Sequence, residues 1–170
     1  MPETAQESTR RAFVTRPDGG ERYRFFGGTA VLRSAPGALP VVIELTFGPG
    51  PGAALHVHRE LDDSLYVLRG RIAWRCGDET LVVAPGDYVA LPAGVPHTFF
   101  VLGDEPASFL QTHADDSFLR FIRAVGVRAT GPDMPPARPL DREAVLKAAA
   151  ETGQPILGPP MTREDALAAR

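Results

Sequence analysis

The sequence predicts an all-β fold, an antiparallel sandwich or barrel, with helices only towards the C-terminal end. Three observations carry this reading. Between Glu21 and Thr112, short apolar runs alternate with polar residues and no helical spacing intervenes. Glycine and proline, 17 of each, fall mostly between those runs, where turns are needed. After Asp115 the pattern changes, and Phe118, Leu119, Phe121, Ile122 and Val125 recur at helical spacing.

Residues 1–20 are polar and end in the turn cluster Pro17-Asp18-Gly19-Gly20, an arm that is loosely held or packs across a sheet edge. Tyr23, Phe25 and Phe26, then Thr29 to Leu32, read as one long strand bent at Gly27-Gly28. Val41 to Phe47 follows as a strand, with Val41, Ile43, Leu45 and Phe47 on one face. Gly48-Pro49-Gly50-Pro51-Gly52 cannot continue a ladder and reads as a turn. Further strands are expected at Leu65–Leu68, Arg71–Arg75, Thr80–Val83, Tyr88–Leu91, Thr98–Leu102 and Ala107–Thr112. Helices are expected from the Asp115–Ser117 cap to Gly126, from Asp141 to Glu151, and from Thr162 to Ala169. The organisation is an arm over 1–20, a β-barrel over 21–113 and a helical extension over 114–170.

A chain of 170 residues is long enough for one domain with its own core. Eighteen basic and 21 acidic side chains leave a net charge of −3, which argues against nucleic acid or an anionic membrane as partner. One cysteine, Cys76, allows no internal disulfide and, near a hairpin turn, reads as a small buried or half-buried residue and not a nucleophile. No apolar run approaches the ~20 residues that span a bilayer, and Met1 to Thr9 lacks the pattern of a signal peptide. A cytoplasmic protein is the expectation.

The chemistry gathers around His56-Val57-His58-Arg59-Glu60-Leu61-Asp62-Asp63. Histidines one residue apart leave a strand on the same face. A third, His97, follows the turn residues Pro92-Ala93-Gly94-Val95-Pro96 at the mouth of a strand. Three imidazoles and a carboxylate converging from neighbouring strands would make a metal site with room left for water or substrate. The simpler alternative is three sheet residues satisfied by backbone carbonyls. His113, at the exit of the last core strand, reads as a rim or capping residue, and Glu60 and Asp62 as solvated charges.

These residues resemble the two motifs of the cupins. The first reads from Pro51, where cupins have glycine, through His56-Val57-His58, four residues, Asp63, six residues and Gly70. The second reads Gly86, five residues, Pro92-Ala93-Gly94-Val95-Pro96-His97, three residues and Val101. The run Leu65 to Gly70 and the tail Gln154 to Pro160 are similar to bacterial single-domain cupins likened to quercetin dioxygenase. Two positions depart: the cupin glutamate is Asp63, one methylene shorter, and the final asparagine is Val101.

The resemblance implies a jelly-roll β-sandwich with helices packed outside, and a homodimer. It implies one divalent transition metal (Fe, Mn, Ni, Co or Zn) on His56, His58, Asp63 and His97, with Asp63 also the catalytic proton acceptor. It further implies dioxygenation of a small aromatic or enolisable substrate, with O₂ as co-substrate. Alternatives from the same fold are a non-redox cyclase, isomerase or lyase acting on a polyketide-type substrate, and a metal-free binding module. Strand alternation puts Phe99 and Val101 on the face of His97 and nominates them as pocket wall, and Tyr66 is nominated with them as an aromatic residue on a sheet strand.

Overall fold

In β3 (Val41–Phe47) and β11 (Ala107–His113) every second side chain is buried, so each strand presents one apolar face to a common interior. The computed structural model describes residues 12–131, 133–136 and 138–168. The first eleven residues of the expected N-terminal arm lie outside that range. The other strands before the helices are β1 (Arg22–Phe25), β2 (Gly28–Leu32), β4 (Gly50–Pro51), β5 (Ala54–His56), β6 (Asp63–Arg69), β7 (Arg71–Cys76), β8 (Glu79–Val83), β9 (Tyr88–Leu91) and β10 (His97–Leu102). After β11 come α1 (Ser117–Val125), β12 (Val127–Arg128), α2 (Arg142–Glu151), β13 (Ile156–Pro160) and α3 (Arg163–Ala168).

Two antiparallel sheets face each other in a jelly-roll sandwich. One runs β12-β1-β2-β3-β11-β6-β9; the other runs β13-β5-β10-β7-β8, with β4 also paired to β10. Phe109, Ile43, Leu65, Ile72 and Leu91 fill the space between them at 1% exposure or less. Each buried side chain of that size contributes about 1.5–3 kcal/mol.

Tyr23–Phe25 and Thr29–Leu32 are not one bent strand. Phe26 (φ 45°) and Gly27 (φ 80°) both adopt left-handed backbone, and β1 folds back on β2 as a tight hairpin. Two consecutive positive φ values match the right-handed twist of the flanking strands, and glycine makes the second of them cheap.

The helical segments fall where their caps predict. Asp141 accepts from the backbone N–H of Glu143 and Ala144 to start α2. Thr162 and Asp165 cap α3 reciprocally. The C-terminal segment also rejoins the sheets, because β12 pairs with β1 and β13 pairs with β5. Position Ile156 lies opposite His56 in that second pairing.

Candidate metal centre

β5 and β10 bring the motif histidines together: His97 is the direct antiparallel partner of His56, with ring centroids 4.4 Å apart. Both rings are fixed in the same way. His56 Nδ1 lies 2.8 Å from the Ala54 carbonyl and His97 Nδ1 lies 3.0 Å from that of Val95. A carbonyl only accepts, so each Nδ1 carries the proton and each Nε2 presents a lone pair. His58, two residues past the end of β5, is held by its own carbonyl, which accepts from Gly94 N–H at 2.7 Å. One nitrogen from each of His56, His58 and His97 lies within 4.8 Å of the others.

Asp63 opens β6 beneath this group at 2% exposure. Gln111 Nε2 donates to Asp63 Oδ2 at 2.9 Å, and His97 Nε2 stands 3.5 Å from the same oxygen. Oδ1 lies 3.3 Å from both His58 Nδ1 and His113 Nδ1. Burial drives the His56 pKa down to about 4, helped by His97 alongside, and that of His58 to about 3. Burial also lowers that of His113. For Asp63 burial acts upwards, but His97, His58 and His113 around the carboxyl outweigh it and hold it at about 2. At neutral pH His56, His58 and His113 are therefore uncharged imidazoles near a buried carboxylate, the protonation state in which both residue types ligate metals.

Above the histidines opens a cavity of about 420 Å³, reached by His56, His97, Asp63 and Gln111. Its wall is aromatic, with Phe25, Phe47, Trp74, Phe99 and Phe109 contributed by the sheets. Phe118 and Phe121 of α1 and Val145 of α2 complete it. The helices therefore do more than coat the outside, since they close one side of the cavity. Phe118 also lies over the cluster, its ring 4.7 Å from that of His113.

Among the pocket residues expected from sequence, Phe99 lines the cavity. Tyr66 does not: it is 46% exposed, on the face of β6 opposite Asp63, Leu65 and Val67, and beside Tyr88 of β9. Val101 is on the correct face of β10 but fully buried, deeper than the cavity reaches. Strand parity gives the face of a residue and not its depth in the barrel.

His113 is no rim residue. It is 1% exposed and belongs to a second group with His58 and Asp63, whose ligand atoms also lie within 4.8 Å of one another. The alternation Phe109, Gln111, His113 along β11 was the available signal, since all three are buried while their neighbours are less so.

Gly52 shows how tightly the wall is packed. A Cβ there would stand 2.1–2.4 Å from the Phe99 ring, while Gly52 N–H is tied to the Phe99 carbonyl at 2.9 Å. Gly52→Ala should push that ring towards the cavity and cost about 1–3 kcal/mol. Urea unfolding measures the cost, and an unchanged midpoint would contradict this packing.

Comparison with known proteins agrees with the fold. Residues 43–113 match the family model described as cupin domain. Over 90 residues, 51% of this chain, the sequence is 31% identical to quercetin 2,3-dioxygenase of Bacillus subtilis, of which the match spans only 27%. A sugar phosphate isomerase from the cupin superfamily of Silicibacter pomeroyi superposes with a TM-score of 0.53 at 25% identity, covering 59% of this chain and 74% of that one. Bacillus subtilis oxalate decarboxylase, studied for its Mn(II) centres, superposes at 0.50 with 23% identity, covering 56% and 28% of the two chains. Over residues 43–113 this β-sandwich is a cupin domain.

Proposed function

We propose that this protein is a metal-dependent cupin enzyme acting on a small aromatic or enolisable substrate, with quercetinase-like dioxygenation as its reaction. The observation that carries the reading is the approach of lone-pair-bearing Nε2 atoms of His56 and His97, with His58 beside them, at the floor of an aromatic cavity. The donor set suits Fe, Mn, Ni, Co or Zn. His56, His58 and His97 would hold the metal, with Asp63 as the fourth ligand or the proton acceptor. The metal would supply Lewis acidity towards a substrate hydroxyl or carbonyl oxygen.

The chain's own residues do the rest. Backbone carbonyls of Ala54 and Val95 fix the two rings. Gln111 holds Asp63, whose low pKa keeps it in the ionised form that a ligand requires; as proton acceptor it is a weak base and depends on the metal to acidify the substrate hydroxyl. Phe47, Trp74 and Phe99 offer flat apolar surface and exclude water. The same wall argues for an aromatic substrate over oxalate or a sugar phosphate. Among the described lining residues the one lysine or arginine is Arg142, whereas a dianion requires several donors or cations.

The test is oxygen uptake with a flavonol such as quercetin, in air and under nitrogen, using protein loaded in turn with each metal. Consumption of O₂ in step with substrate is expected, and its loss under nitrogen. Turnover that persists without oxygen would overturn the dioxygenase and favour the isomerase or lyase alternative.

A further inference from the structure

The group His58, Asp63 and His113 stands apart from the motif set and has its own unsatisfied atoms. Asp63 Oδ1 and both ring nitrogens of His113 are buried without a hydrogen-bond partner, although His58 Nδ1 and His113 Nδ1 each lie 3.3 Å from that oxygen. The atoms are near enough to bond but not aligned for it. Each buried polar group left so costs about 1–3 kcal/mol, and no other described side chain offers them a partner.

The spacing fits another arrangement. Donors held at about 2.0–2.1 Å around a tetrahedral cation sit about 3.3–3.4 Å from one another. The two 3.3 Å contacts have that edge length, and the ligand atoms of His58 and His113 lie within 4.8 Å of each other. His58 can serve both groups at once only as a bridging imidazolate, its Nδ1 facing Asp63 and its Nε2 without a partner, with its ring proton released to solvent on binding the second cation. The surroundings differ too. His113 also borders a polar groove lined by Glu60, Asp62, Ser64 and Thr112, none of which lines the aromatic cavity. The carboxylates of Glu60 and Asp62 give that groove the charge a cation would follow inward.

We propose that His58, Asp63 and His113 form a second position for a divalent cation, adjoining the one assigned to His56, His58 and His97 and bordered by this separate groove. Donors of two imidazoles and one carboxylate with open positions suit Zn(II) or Co(II) rather than Mg(II) or Ca(II). The inference shares His58 and Asp63 with the functional reading above and rests on it, and its test, made at the unshared His97 and His113, separates the two.

Chelator-treated wild-type protein, His97→Ala and His113→Phe are titrated with Zn(II) by calorimetry, and Co(II) absorption reports the ligand field. Circular dichroism verifies folding, with His113→Gln as a second variant. Two equivalents are expected for wild type, one for each variant, and a Co(II) spectrum that differs between the two variants. One equivalent in wild type, unaltered by His113→Phe or His113→Gln and lost in His97→Ala, would overturn the second position and leave the functional reading standing. One equivalent lost in His113→Phe but kept in His97→Ala would support this position and sink the first. No binding in wild type would sink both.

Discussion

Replacing His58 with alanine should abolish tight binding of divalent cations. His58 is the one residue common to both groups of metal-capable side chains, and it is 4% exposed. Removing an outer-sphere partner alone costs about 10–100-fold in metal affinity, so loss of a direct ligand should cost at least ~100-fold. Competition with a chromophoric chelator measures this, and His58→Gln controls for the cavity the alanine leaves. Tyr66→Phe, on the outer face of β6, should leave affinity unchanged. A His58→Ala protein within threefold of wild type would contradict the assignment of the centre.

Acid should unfold the chelator-treated protein well above the range in which carboxylates alone respond. His56 and His58 have folded pKa values of about 4 and about 3, below the ordinary value of 6.5 that they regain on unfolding. The unfolded chain therefore binds more protons than the folded one below pH 6.5. Stability is fully present above that pH and is lost as the pH falls towards 4 and then 3. Asp63 behaves likewise lower down, its contribution persisting above its ordinary 3.8 and lost as the pH approaches 2. Between pH 7 and pH 4 the two histidines together should remove on the order of 3–6 kcal/mol, a large share of the ~5–15 kcal/mol typical of a domain. Urea midpoints measured at each half pH unit provide the check. His56→Asn/His58→Gln should flatten the slope, and a wild-type profile already flat over that range would contradict the buried, neutral state of these rings.

Much of this architecture follows from local pattern. Period-two burial in β3 and β11 and the cap residues Asp141 and Thr162 place elements without knowledge of the rest of the chain. The meeting of His56 with His97 was legible too, because both stand at strand ends in the two motif spacings, and β5 and β10 pair side by side in one sheet. What escaped depends on long-range packing. Phe118 and Phe121 read as one face of a helix, but nothing local says that this face closes a cavity. Val101 shares the face of Phe99, and its depth is set by how the opposite sheet fills the barrel. His113 lies outside both motifs, and its role comes from β11 running beside β6, which brings it to Asp63. Tyr66 is different: the alternation of Asp63, Leu65 and Val67 already placed it on the outer face.

The most direct measurement is anomalous diffraction from crystals of protein purified without chelator, collected at the absorption edge of whichever metal elemental analysis finds. The expected result is a peak about 2.0–2.2 Å from Nε2 of both His56 and His97, at the floor of the aromatic cavity. No peak between those rings, with any bound ion held by surface carboxylates instead, would contradict a metal centre inside the barrel.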